Sequence, residues 1–399
     1  MRKTSLSLIF LVVFLDLVGF GIVIPVLPYY AKIFGASATE LGWLMVCYSG
    51  MQFLFSPFWG RLSDRIGRRP VLLTCILGIA ISFLILGSAR SLLWLFIGRL
   101  FAGLFGANIS AASAYIADIT PPEKRAKGMG LIGAAFGLGF LFGPALGGLL
   151  SKWGYHVPAL VAAALAAINF LFAFLKLEEP KLTLEERTAH RHHFTFRNWI
   201  ETVTSRQVGF FIGLFFLMTM GIAQLETSFA LYLLARFGLD ALHAGVILAM
   251  MAVCMIAIQG GGIGPLVAHF GERFLVATGA LLMTCGLVGA MLSPTVHWFV
   301  VALLFHAVGY ALVTPSLSAL TSKTVESRVQ GATMGVYQSA GSLGRIVGPL
   351  LAGILFDRVG MSMPFYVAAG FFMIAFILSV KSYRSMSSSR RRGSHEIPA

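Results

Sequence analysis

Four ionisable side chains interrupt otherwise long apolar runs: Asp16, Arg99, Glu226 and Arg345. A charge inside a bilayer costs about 2.5–3.5 kcal/mol or more unless it is paired or wetted, so each marks a candidate for chemistry. Glu226 lies in QLETSFALY (residues 224–232), beside polar and aromatic side chains. A carboxylate that alternates between a dry protonated state and a wet ionised one is what proton coupling requires. The alternative for Glu226 is a fixed ion pair with Arg345, at similar depth in its own helix. Asp16 falls roughly 15 Å along the first helix by its rise per residue, and either titrates or bonds a neighbouring helix. Arg99 cannot lose its proton, so its part is electrostatic, or else it snorkels to the interface. Arg345 is also a candidate anchor for an anion.

Two short basic segments punctuate the apolar runs, GRLSDRIGRR (60–69) and GPLVAHFGER (264–273), 204 residues apart. Such loops do not sit in hydrocarbon. A hydropathy pattern repeated in two halves is the mark of secondary transporters built from internal repeats.

The elements that must carry these residues are apolar helices of about 20 residues. Twelve are expected: 6–30, 41–59, 71–88, 92–116, 128–150, 158–175, 209–234, 241–263, 274–292, 298–320, 331–356 and 361–380. The first continues through Pro25 and Pro28 and shows no cleavage site, so it is read as a helix and not as a signal peptide. The expected fold is an all-α integral membrane protein, with twelve transmembrane helices in two pseudo-symmetric six-helix bundles. Residues 1–177 form the first bundle, 178–207 a cytoplasmic linker, 208–381 the second bundle and 382–399 a basic tail.

Composition agrees with this, since 57% of residues are hydrophobic and only 12% charged, against about 25% charged in soluble domains. The net charge is +14. With Arg2 and Lys3 on the cytoplasmic side, about 23 of the 30 Lys and Arg share that side, so both termini are expected in the cytoplasm and the protein in the inner membrane. The charges are spread over short loops, which argues against nucleic acid as a partner. The tail residues Arg390, Arg391 and Arg392 suit anionic lipid. Cys47, Cys75, Cys254 and Cys285 lie in apolar runs without metal-ligand spacing and are expected as packed free thiols. His190, His192 and His193 belong to the polar linker and lack a fixed carboxylate partner, so no metal is expected. No nucleotide loop, dinucleotide fingerprint or metal constellation is present, so neither enzymatic activity nor a cofactor is expected.

Glycine-rich runs recur in both halves, GLGFLFGPALGG (137–148) and GSLGRIVGPLLAG (341–353). Small residues let helices approach closely in lipid, and Pro144 and Pro349 add kinks. Each run is expected against helices of its own half, serving either static packing or a moving seam.

At DLVGFGIVIPVLP (16–28), the loop 60–69, GRLFAGLFGA (98–107), AYIADIT (114–120) and the proline-glycine run 139–148, the chain resembles the major facilitator superfamily. Within it, the resemblance is to twelve-helix drug:proton antiporters, including tetracycline-efflux proteins, and it covers almost the full length. It implies two six-helix bundles around a central cavity and Gly139, Gly143, Pro144, Gly147 and Gly148 as the antiporter motif. Arg99 matches the membrane-embedded arginine of the family's GRLFAG motif. It also implies a cytoplasmic latch from Gly60, Asp64, Arg65, Gly67, Arg68 and Arg69 with Asp118, Glu123 and Arg125, in which the loop Asp meets a helix N-terminus. The second-half loop carries Ala268 at the corresponding place, which makes the latch asymmetric. Tetracycline exporters that take a metal–drug complex carry acids in the third and ninth helices, and 71–88 and 274–292 contain none.

The expected partners are a small-molecule substrate, protons and the lipid bilayer, with a monomer as the functional unit. Candidate cavity residues in the first half are Tyr29, Tyr48, Asn108, Phe136 and Phe140. In the second half they are Tyr232, Gln259, His306, Tyr310, Tyr337 and Gln338. The function expected is proton-coupled export of small amphiphilic compounds by alternating access. The alternatives are transport of an anionic metabolite or lipid headgroup, or a non-transporting receptor with this fold.

Overall fold

The computed structural model describes residues 3–106, 108–120, 125–180, 206–325 and 330–393. Fifteen α-helices run through them, with no strand among the described residues. The first eight are α1 (Lys3–Val23), α2 (Leu27–Ile33), α3 (Ala38–Ile66), α4 (Arg68–Gly87), α5 (Leu92–Leu104), α6 (Asn108–Ile119), α7 (Arg125–Leu150) and α8 (His156–Lys176). The others are α9 (Arg206–Phe237), α10 (Ala241–Ala257), α11 (Ile263–Phe270), α12 (Glu272–Leu292), α13 (Val296–Lys323), α14 (Gln330–Arg358) and α15 (Met363–Gly393). Ten stretches among the described residues are long and apolar enough to cross a membrane. Two further spans complete twelve: α3, whose last turns carry Arg61, Asp64 and Arg65, and the α5–α6 pair, interrupted after Leu104. Exposed Leu84, Ile168, Leu171, Leu175, Trp298 and Phe305 on these helices are apolar surface that a bilayer covers.

Three interruptions depart from the expected spans, one of them the α5–α6 break within 92–116. The first span breaks between Val23 and Leu27, because Pro25 has no N–H to donate and its ring crowds the preceding turn, while Pro28 enters the first turn of α2. Between α10 and α11 the backbone widens into a π turn at Ile258–Gly262, a local distortion that glycine permits. Elsewhere local chemistry sets the ends. Ser37 and Glu40 close a capping box on α3. Asp240 precedes α10 and accepts from the His243 amide at 3.2 Å and pairs with its Nδ1 at 2.6 Å. Burial pushes the Asp240 carboxyl up, but the bonds to His243 outweigh it and hold Asp240 below its ordinary range. That contribution is present at neutral pH and is lost as pH falls through the lowered pKa.

Both basic loops turn on one glycine. Gly67 has φ +106° between α3 and α4, and Gly271 has φ +77° between α11 and α12. A side chain at either φ is strained. The two positions are 204 residues apart, the spacing of the loops themselves.

The chain forms two compact units. The first comprises Met1–His193, Glu226–Ala252 and Arg345–Met361. Its core includes Ile22, Leu41, Leu44, Phe83, Leu95 and Leu231, with a second cluster around Ile9, Leu17, Leu72, Ile76 and Ile116. The second unit comprises Phe194–Leu225, Val253–Gly344 and Ser362–Ala399. There α12 and α13 meet through glycine: a methyl on Gly309 would lie 2.4 Å from the Gly279 carbonyl oxygen.

In the first unit the proline-glycine run of α7 packs on α1. A methyl on Gly139 would meet the Leu17 Cβ at 2.7 Å, one on Gly143 the Gly21 Cα at 2.6 Å, and one on Gly147 the Ile22 carbonyl oxygen at 2.0 Å. The expectation that each run stays within its own half needs correction at its far end. Gly148 abuts the Ala241 carbonyl of α10 at 2.8 Å, and Gly353 abuts the Ala38 carbonyl of α3 at 2.4 Å, each measured from a methyl placed there. The same small residues that admit a neighbour also admit a helix from the other half of the sequence.

Gly147→Val is therefore expected to lower stability by about 1–3 kcal/mol, the usual cost of overpacking. Gly133, with nothing within 4 Å of an added methyl, should accept Ala with no loss. Thermal unfolding of the two variants in detergent checks the contrast; equal midpoints would contradict it.

Candidate functional site

Tyr48, half-buried on α3, stands at the centre of the intramembrane charges of the first unit. The charges of Arg99, Asp16 and Arg345 all act on it. The Arg99 guanidinium carbon lies 4.4 Å from the Tyr48 ring centroid, in cation–π range. Gln52, one turn along α3, donates to the Gly106 carbonyl at 2.7 Å and lies 3.4 Å from the Tyr48 hydroxyl. Phe20 closes the other side at 5.4 Å, followed by Phe140 at 6.4 Å and Phe136 a further 6.4 Å on.

Arg99 is 6% exposed, which settles its placement in favour of a buried charge over a snorkelling one. Its Nη2 lies 3.6 Å from the Met45 sulfur, and its Nε has no hydrogen-bond partner among the described residues. A buried guanidinium held by a ring and a thioether retains donor capacity for water or an anion. Asp16 is 9% exposed on α1.

Glu226, on α9, is also in the first unit, and the positive charge of Arg345 on α14 acts on its carboxyl. The Glu226 side chain is solvent-exposed, although protein surrounds it on the scale of neighbouring helices. Arg345 is half-buried. Arg99 thus lies against Tyr48, the charges of Asp16 and Arg345 reach that ring, and the charge of Arg345 reaches Glu226.

The other cavity candidates divide. Tyr29 is buried at 3% exposure and donates to the Leu239 carbonyl at 3.2 Å, so it joins two segments of the first unit. Tyr232 is fully buried and packs edge-on to Phe237. Tyr337 is 2% exposed and stacks on Phe215 at 3.8 Å. His306 is 2% exposed, with Nδ1 3.3 Å from the Met283 carbonyl and its ring against Phe372. These three were expected in a cavity because polar atoms on apolar helices suggest one, but each ring is enclosed by packing. Tyr310 is half-buried, while Gln338 and Gln259 are exposed, with Gln259 3.5 Å from the Ala311 carbonyl. The Asn108 side chain, Glu123 and the Arg125 side chain lie outside the described residues, as do His190, His192 and His193 and the side chains of Arg390, Arg391 and Arg392.

The loop at Gly67 forms a charge cluster. Arg68 pairs with Asp64 at 2.6 Å and Asp118 at 2.7 Å, and donates to the Ser63 hydroxyl at 2.6 Å. Asp64 does not take the N-terminus of α4. That position belongs to Glu179, whose two oxygens accept from the Arg68 amide at 2.6 Å and the Arg69 amide at 2.8 Å. Arg69 donates to the Phe174 carbonyl at 2.6 Å. Sequence reasoning missed Glu179 because a cap 111 residues distant leaves no local motif. In the second unit the counterpart includes the ion pair of Glu272 with Lys323. The four cysteines are free, with Cys75 buried and Cys285 exposed. Among the described residues no group of three or more His, Cys, Asp or Glu is placed to hold a metal.

A family model described as Major Facilitator Superfamily matches residues 9–263 and 262–397. The chain is 32% identical over 390 residues to the Escherichia coli tetracycline resistance protein, class E, covering 94% of each. It is 32% identical over 380 residues to multidrug resistance protein 2 of Bacillus subtilis (strain 168), covering 94% of this chain and 93% of that one. The crystal structure of the human organic anion transporter MFSD10 (TETRAN) superposes with a TM-score of 0.72 at 26% identity, over 94% of this chain and 99% of that one.

Proposed function

This chain belongs to the Major Facilitator Superfamily, and from that premise we propose that it is a proton-coupled exporter of small amphiphilic compounds, working by alternating access. What supports the proposal is that the charge of Arg345 acts on the Glu226 carboxyl and also reaches Tyr48, on which Arg99 lies. A proton on Glu226 removes a negative charge that acts with Arg345, and its loss restores that charge. Substrate charge and proton then compete for one carboxylate, which is the requirement for exchange. The aromatic wall of Phe20, Tyr48, Phe140 and Phe136 suits flat apolar cargo. Relatives named for tetracycline and multidrug resistance support export as the direction.

In this reading the two six-helix halves, residues 1–177 and 208–381, rock about the site, joined by the linker 178–207 and followed by the basic tail 382–399. Both termini face the cytoplasm from the inner membrane, the placement that puts most Lys and Arg inside. The Asp64–Arg68–Asp118 cluster then lies at the cytoplasmic surface and serves as the latch there. A single chain suffices, and the proton is the coupling ion.

A second reading is transport of an organic anion, favoured by the unpartnered Nε of Arg99, by Arg345, and by a structural relative named as an organic anion transporter. Arg345→Ala separates the two. If the cargo is cationic, the variant frees Glu226 and binds a lipophilic cationic dye about tenfold more tightly, the scale of one charge-assisted bond. If the cargo is anionic, the variant loses organic-anion binding by a similar factor. Equilibrium titration of the purified variant with both probes is the check, and the first outcome is expected.

A further inference from the structure

The N-terminus of α3 is satisfied in an unusual way. Ser37 and Glu40 exchange bonds across the capping box: the Ser37 amide donates to Glu40 Oε2 at 2.8 Å, and the Glu40 amide donates to Ser37 Oγ at 3.1 Å. The box leaves two free amides between its members, those of Ala38 and Thr39. Asp357, in the last turn of α14, takes both. Its Oδ1 accepts from Ala38 N at 3.1 Å, and its Oδ2 accepts from Thr39 N at 2.8 Å and from Thr39 Oγ1 at 2.7 Å. The carboxylate also meets the positive end of the helix dipole.

The backbones beneath this contact touch. A methyl on Gly353 would lie 2.4 Å from the Ala38 carbonyl oxygen, and one on Gly42 would lie 2.5 Å from the Pro349 carbonyl oxygen. Glycine admits the approach and Asp357 bonds it at the end. The corresponding place in the first half, counted eight residues on from Pro144 as Asp357 is from Pro349, holds Lys152. Helix α10 starts instead on its own Asp240. Among the described residues only one of the two related seams is bonded by a carboxylate from the other half.

We propose that Asp357 is a positioning residue that holds α14 on α3 and sets the population of the state closed at this end of the molecule. The role rests on the alternating-access reading, in which this end must open in the other half of the cycle. A merely structural cap would stabilise α3 alone, whereas a latch shifts the balance between two arrangements.

The test is pulsed electron–electron distance measurement on the full chain in lipid nanodiscs, with its four cysteines replaced and spin labels on the exposed positions Ile33 and Val359. In Asp357→Ala the ratio of long to short distances should rise about tenfold or more for the loss of a charged acceptor with three donors. Ser37→Ala, which breaks the local cap on the same helix, should leave the ratio unchanged. Thr39→Val, which removes one of the three bonds with a smaller change than Asp357→Ala, should give a smaller rise. Unchanged distances in both Asp357→Ala and Thr39→Val, or an equal rise in Ser37→Ala, would overturn the latch. Because the distances need no substrate, a shifted ratio in a protein that moves no solute would uphold the latch and count against the transport reading alone.

Discussion

Membrane vesicles carrying Glu226→Gln should lose substrate-driven proton movement altogether while keeping wild-type expression and some downhill substrate exchange. Glutamine preserves the size and hydrogen-bonding capacity of the side chain but fixes it in a state that mimics the protonated acid. Arg345 would then face a neutral partner throughout the cycle. Substrate can still be bound and carried down its gradient, but no proton is released to drive it uphill. Fluorescence of an internal pH dye on substrate addition is the measurement. If the variant gives the wild-type pH change, Glu226 is a structural acid and Asp16 becomes the carrier.

The second large effect is expected at Asp118. The Arg68 and Asp118 side chains are 12% and 3% exposed, whereas Asp64, on the same arginine, is 59% exposed. Removing one member of a buried pair costs up to about 3–5 kcal/mol when it strands the other charge, less here because Asp64 and Ser63 still meet Arg68, while an exposed pair contributes about 0–1 kcal/mol. Asp118→Ala should therefore unfold far more readily in detergent than Asp64→Ala, although both remove an acid from one guanidinium. Equal thermal midpoints would show that Arg68 draws its stability from Ser63 and the water around the loop.

How much of this was legible in the sequence depended on the range of each interaction. The paired basic loops were readable because Gly67 and Gly271 keep both spacing and conformation, which a linear string records. That the charge of Arg345 reaches Glu226 was readable from equal depth on two helices. The break at Pro25 was visible as a residue but misjudged, because a proline in a span can either kink a helix or end it, and Pro28 so soon afterwards decides for the break. Tyr232, Tyr337 and His306 were misassigned to a cavity, because a polar atom on an apolar helix looks the same whether it meets water or packing. Glu179 and Asp357 gave no signal. Each caps a helix more than a hundred residues away, and capping motifs are read within one turn. The side chains that tie distant helix ends together are the ones a linear reading leaves out.

The central claim is exchange of a proton for substrate, and purified protein in liposomes tests it most directly. With a pH-sensitive dye inside and a lipophilic cation added outside, wild-type protein should move protons opposite to the cation. An imposed pH gradient should drive the cation uphill, and a protonophore should abolish that accumulation. Binding of the cation with no accompanying proton movement, or movement of both in the same direction, would contradict the account.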